Sequence, residues 1–99
     1  MSAASAHASL ALDGELTIYR AADLKQELLA ALRQTQVLEL NLAGVTELDT
    51  AGLQVLMLAK QTASADRREL RLVQHSPAVV DIFEMLDLGA FFGDAVLIH

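Results

Sequence analysis

Cysteine is absent from this 99-residue chain, which removes two common ways of stabilising a small protein. Neither a disulfide framework nor a thiolate metal site can form, and a reducing, cytoplasmic setting is the expected one. Basic residues are also scarce: seven Lys and Arg stand against thirteen Asp and Glu, a formal net charge of -6. A nucleic-acid binder gains affinity by releasing counterions to a basic patch, so nucleic acid is not an expected partner. Long apolar runs are missing too. Mean hydropathy is positive, but the uncharged stretch Thr50 to Ala59 falls well short of the ~20 residues that span a bilayer. Alanine and leucine account for the index, and no membrane insertion is expected. Met1 to Ala6 are small and neutral, with neither a basic start nor an apolar core, so residues 1–7 read as a tail and not as a signal peptide.

Catalytic groupings are equally thin. His7, His75 and His99 lie far apart, without the helical spacing or carboxylate companions of a zinc site. Thr50 has no evident base, because Asp49 is its chain neighbour and no histidine is held by a third group. The five glycines are scattered and make no phosphate-cradling loop. The expectation is therefore a protein that is not an enzyme and holds neither metal nor cofactor.

What is present is a regular alternation of periods. Ala8 to Leu12 and Glu15 to Tyr19 alternate in steps of two around Asp13-Gly14, which predicts a two-residue hairpin and an antiparallel pair. Ala22 to Arg33 places Leu24, Leu28, Ala31 and Leu32 on one helical face, with Asp23 and Gln26 at capping-box spacing. Val37 to Leu42 is a strand with Leu38, Leu40 and Leu42 on one side. Ala43 to Asp49 is a connection in which Val45 and Leu48 return to the core. A helix follows from Thr50 to Ala63, then the polar turn Ser64 to Arg68 and the strand Glu69 to Val73. Ser76-Pro77 is a strong helix start, Val79, Val80, Phe83 and Leu86 supply its buried face, and Gly89 can close it. Ala95 to Ile98 forms a last strand.

The resulting order, β-β-α-β-α-β-α-β, predicts a single α/β domain over residues 8–99 with a mixed sheet and helices mainly on one face. In such crossover folds the carboxyl ends of parallel strands share an edge where sites collect. Tyr19 to Ala21, Thr46 to Thr50 and Gln74 to Ser76 are expected there, and the Asp13-Gly14 turn at the opposite edge.

The stretch Leu48-Asp49-Thr50-Ala51-Gly52-Leu53 carries the remaining chemistry. Asp and Thr are favoured helix caps, and a cap is one sufficient reason for both. The other reading makes Thr50 a phosphoacceptor at a helix N-terminus, where free amides and the dipole favour an anion. Phosphate there adds about -1.5 to -2 charge beside Asp49 and repels a partner docked on that edge.

Gly14-Glu15-Leu16, the strand Val37 to Leu42, Leu48 to Leu53, and Ser76-Pro77 followed by Val80 and Phe83 together resemble the STAS domain of anti-sigma-factor antagonists, in the same element order. That resemblance implies a cytoplasmic regulatory switch. Its hydroxyl, at the position of Thr50, is phosphorylated by a serine/threonine kinase that is often the anti-sigma factor itself, and is restored by a PP2C-type phosphatase. On this reading Asp49 is expected to shape the turn and its charge and Gly52 to allow close approach, and both are expected to bind the partner together with Arg20, Glu47, Ala51 and Ser76. Leu16-Thr17-Ile18-Tyr19 is similar to small STAS proteins of proteobacterial signalling and chemotaxis systems. A second branch, the STAS accessory subunit of ABC-type phospholipid transport ATPases, also carries an Asp-Thr-Gly/Ala-Gly turn and docks on an ATPase without need of phosphate. A small-ligand or nucleotide module, resting on the strand-edge rule alone, is the third reading.

Overall fold

The computed structural model describes residues 5–87, with side chains from His7 onward. Its elements are β1 (Ser5–Leu16), α1 (Ala21–Leu32), β2 (Thr35–Leu48), α2 (Thr50–Ala65), β3 (Glu69–Val73) and α3 (Pro77–Leu86). β2 is central, and both β1 and β3 run parallel to it. Leu12 and Leu16 of β1, Leu38, Leu40 and Leu42 of β2, and Leu70 and Leu72 of β3 are all buried. Leu24, Leu28 and Leu32 from α1, Leu56 from α2, and Val79 and Phe83 from α3 complete the same core cluster. Between the buried leucines, Val37, Glu39 and Asn41 are half-buried, so the other sheet face is partly wet. The α/β class is as expected, with the described sheet wholly parallel. The expected last strand, Ala95 to Ile98, and Gly89 lie outside the described residues.

The hairpin does not form. β1 is one strand through Asp13-Gly14, and the pair expected to be antiparallel is a single element paired parallel with β2. Gly14 does use its freedom, at φ 74°, but to bend a strand and not to reverse it. From Ala11↔Asn41 to Asp13↔Gly44 the register advances two residues on β1 and three on β2. From Gly14↔Val45 to Glu15↔Glu47 it advances one and two. β2 therefore carries two extra residues, and the amide of Ala43 is satisfied at the first of them by Asn41 Oδ1 at 2.9 Å. These bulges lengthen β2 from the expected Leu42 to Leu48. They also place Leu42, Val45 and Leu48 in the core at intervals of three, so the two residues expected to return to the core do so from within a strand.

The helix ends show which local signals prevail. Ser76 caps α3, accepting from the Val79 amide at 3.4 Å with Pro77 at the first position, as its sequence requires. Asp87, in the left-handed region at φ 54°, closes that helix. α1 instead starts at Ala21 with Arg20 as its flanking residue and no side-chain cap, so the Asp23/Gln26 box is not used. α2 runs two residues past Ala63 and stops in a left-handed turn. Arg67 N–H reaches Ser64 O at 3.1 Å and Arg68 N–H reaches Ala63 O at 2.7 Å, the paired bonds that satisfy a helix's last carbonyls.

One contact seats α2 against the sheet. A Cβ on Gly52 would lie 2.0 Å from the Leu16 carbonyl oxygen and 3.0 Å from Leu16 Cβ. No rotamer change relieves a clash with backbone, so Gly52→Ala is expected to destabilise the domain by roughly 3 kcal/mol, the upper end of the usual overpacking range. Urea denaturation monitored by circular dichroism checks this; a loss under about 1 kcal/mol would show that α2 can shift away from β1 at little cost.

Candidate functional site

Where β1 and β2 end together, at Leu16↔Leu48, four polar bonds lace two loops and a helix. Asp49 N–H donates to Leu16 O at 3.2 Å, and Leu53 N–H to Asp49 O at 2.9 Å. The Asp49 carboxylate then divides its oxygens: Oδ1 accepts from Gly52 N–H at 2.9 Å, and Oδ2 from Ile18 N–H at 3.0 Å. Asp49 has extended backbone and is the N-cap of α2, filling the role that an aspartate before an apolar helix is suited to. Its second oxygen does something a simple cap does not: it ties the helix start to the loop that leaves β1. Amides aimed at a carboxylate stabilise its charged form. The Gly52 amide foremost, with those of Ile18 and Ala51, holds the Asp49 carboxyl below its ordinary value, against the opposing effect of burial.

Thr50 follows as the first residue of α2 and is exposed. The residue thus stands exposed beside a carboxylate fixed in place. Glu47 is exposed near the C-terminal end of β2, and Ala51 is half-buried. Gly52 and Ser76 are buried. The close approach that Gly52 permits is made within the chain, to Leu16, and the Ser76 hydroxyl is engaged in capping α3. β3 stops at Val73 opposite Asn41, so the Gln74–Ser76 loop leaves the sheet at the level of Asn41 and not of Leu48. Of the three loops expected on one edge, the hydrogen bonds join two.

Asp13-Gly14 belongs to this end as well, contrary to the expectation that it marks the opposite edge. Arg20 Nη1 donates to the Asp13 carbonyl and, at 3.5 Å, to that of Glu15. Its guanidinium is spent on the bulged backbone of β1. Residues 17 to 20 form a turn closed by Arg20 N–H to Thr17 O at 2.9 Å. Thr17 is buried, which leaves Ile18 67 % and Tyr19 96 % exposed at the tip. Sequence patterning placed Tyr19 at this edge but took Ile18 as strand, because alternation continues through Leu16 and Ile18. The available signal was the helix start at Ala21, which leaves Thr17 to Arg20 no room to be a strand. Beside the tip, Ala21, Ala22 and Lys25 of α1 face Ala51, Gln54 and Leu58 of α2 across a shallow groove of about 400 Å³. Among the described residues no group of three or more His, Asp or Glu could hold a metal, and no helix is long and apolar enough to cross a membrane.

A single parallel α/β layer with a capped, hydroxyl-bearing helix start at its strand edge defines the class of fold to which the comparisons also point. The chain belongs to the STAS domain family: a family model described as "Mlab, STAS domain" matches residues 1–98. Its fold is shared by the unphosphorylated anti-sigma factor antagonist SpoIIAA, with a TM-score of 0.72 at 19% identity over 92% of this chain and 82% of that one. The STAS domain of a SulP transporter from Vibrio cholerae is similar at TM-score 0.67 and 19% identity, over 89% of this chain and 69% of that one. No curated protein sequence matches.

The depressed Asp49 pKa gives a pH test. A carboxyl that is more acidic when folded stabilises the protein at pH values above its ordinary value, 3.8, and that contribution is lost as pH falls through the folded value. Asp49→Asn keeps an acceptor but removes the charge. The stability difference between wild type and Asp49→Asn is expected to be full at pH 7 and to shrink below about pH 4, measured by urea midpoints at a series of pH values. A difference that stays constant down to pH 2 would show that the carboxylate charge contributes nothing.

Proposed function

We propose that this domain is a regulatory protein-docking switch, without catalytic activity of its own, whose docking edge is gated by phosphorylation of Thr50. The observation that carries the reading is the placement of an exposed Thr50 hydroxyl at the first position of α2, next to the Asp49 carboxylate held by the Gly52 and Ile18 amides. A helix start suits an anion, but here a carboxylate already occupies the Gly52 amide. A phosphate on Thr50 adds bulk and about -1.5 to -2 charge at that point. A protein surface packed on the edge must then bury a dianion, which is unfavourable unless it is fully paired. By family resemblance the partner is an anti-sigma factor or related serine/threonine kinase in the cytoplasm, and the hydroxyl is restored by a PP2C-type phosphatase.

A second reading is favoured by the identity of the turn. Asp49-Thr50-Ala51-Gly52 fits the Asp-Thr-Gly/Ala-Gly pattern of the accessory subunit of ABC-type phospholipid transport ATPases, in which the same edge docks constitutively. The two readings place the contact at the same residues and differ in whether phosphate controls it.

Because Thr50 is exposed, Thr50→Ala and Thr50→Glu are both expected to fold with stability within about 0.5 kcal/mol of wild type. Under the switch, Thr50→Ala retains the partner in co-purification from native cells and Thr50→Glu loses it, and intact-mass spectra of native protein show a form about 80 Da heavier that phosphatase removes. A stoichiometric ATPase complex unaffected by phosphatase, and bound equally by both variants, would replace the switch with the accessory-subunit reading.

A further inference from the structure

We infer that Ile18 and Tyr19 are the anchor with which this edge grips its partner, and that the partner is a protein presenting an apolar slot bordered by lysine or arginine. The inference rests on the docking reading of the Thr50 edge and supplies the contact residues and the chemistry on the other side.

Three features carry it. The first is exposure: the two bulky side chains stand 67 % and 96 % open to solvent at adjacent positions. The Thr17–Arg20 turn is made by backbone bonds that any two residues could form, so packing gives no reason for isoleucine and tyrosine here. Single exposed apolar residues are ordinary, but these two are adjacent, and only Arg20 separates them in the chain from Ala21, which with Ala22, Lys25, Ala51, Gln54 and Leu58 lines the groove between α1 and α2.

The second is rigidity. The tip is held on both sides: Thr17 is buried, the Ile18 amide is bound to Asp49 Oδ2 at 3.0 Å, and Arg20 is bound to the Asp13 carbonyl. A tyrosine presented on a fixed turn gives large contact area with little further ordering on binding, the property of an interface hot spot.

The third is charge. Glu15 and Glu47 are register partners on the strands that lead into the tip, and both are exposed. Like charges placed opposite each other on a sheet are unfavourable in the free protein. Arg20, bound to the Asp13 and Glu15 carbonyls, is the chain's own cation at this point, but Glu15, Glu47 and Asp49 outnumber it, and a cation on the partner complements that excess. This selects among occupants. A second copy would bring an identical acidic edge, and an anionic membrane would be repelled; a basic-bordered protein surface is the complement.

The test uses the full chain in its native cells, with Tyr19 replaced by the photo-crosslinker p-benzoylphenylalanine and, as control, Gln36 at the far end of β2 replaced likewise. The expected result is one protein joined through position 19 and not through position 36, at a peptide whose apolar residues are flanked by Lys or Arg. With that purified partner, Tyr19→Ser should weaken binding by roughly tenfold or more while its melting curve matches wild type. Glu15→Gln with Glu47→Gln should weaken binding and flatten its dependence on salt. Crosslinking to a second copy, to lipid, or to nothing would overturn the inference, as would binding by Tyr19→Ser within about twofold of wild type. The two readings fail separately. If Thr50→Glu binds as well as Thr50→Ala while Tyr19→Ser does not bind, the gate falls and the anchor stands; the reverse pattern removes the anchor and leaves the gate.

Discussion

The carbonyl of Leu16 is the point on which this domain turns. It accepts from the Asp49 amide, and it lies so close to Gly52 that no side chain fits between them. That approach fixes where α2 begins relative to the end of β1. Because Asp49 caps α2 and also binds the Ile18 amide, the start of the helix, the turn after β1 and the end of β2 form one rigid unit. Thr50, Ile18 and Tyr19 are its solvent-facing parts. The leucine core beneath supplies the bulk of the burial, and the Leu16–Gly52 approach adds a backbone contact that no side chain on residue 52 could share.

Much of this was legible in the sequence because the deciding interactions are local. Ser76-Pro77 caps its own helix, Asp49 caps the next three residues, and Glu69 to Val73 alternates as a strand that faces a core on one side. What failed was decided at long range. Asp13-Gly14 is equally good as a tight turn or as a bulge, since both need positive φ at glycine. The choice is made by Gly44 and Val45, about thirty residues away, which pair with it. The same bulges hide the strand from Ala43 to Leu48, because extra residues convert alternation into burial every third position. Gly52 was legible as a residue permitting close approach, but only the structure shows that what approaches is the chain's own Leu16. Ile18 escaped for a related reason, although Tyr19 beside it was expected at this edge: a pattern that looks like a strand continuing is, in space, a turn tied to a distant carboxylate.

Cap and switch are not rival accounts of Asp49-Thr50. A carboxylate that satisfies the Gly52 amide leaves the adjacent hydroxyl free of capping duty, and so free to be modified without dissolving the helix. Had Thr50 itself been the cap, phosphate would have had to replace a structural bond. Dividing the roles between neighbours would let the fold and the proposed modification be independent, while the Asp49–Ile18 bond connects the residue beside Thr50 to the exposed Ile18–Tyr19 turn.

That bond also resolves an apparent conflict of sign. An acidic edge that binds a basic surface should bind it more tightly, at long range, once a phosphate is added. Release therefore has to come from short range. On the proposed switch, a phosphate on Thr50 would stand one residue from a carboxylate whose two oxygens accept from the Gly52 and Ile18 amides, and repulsion between them would load the Ile18 bond. A closed contact must in addition strip water from a dianion, a larger demand than any screened attraction returns unless the partner offers a paired donor at that spot. A partner with such a donor would be retained by phosphate instead of released. Under the proposed function, the direction of the switch would be set by what lies opposite Thr50, and the affinity by what lies opposite Tyr19.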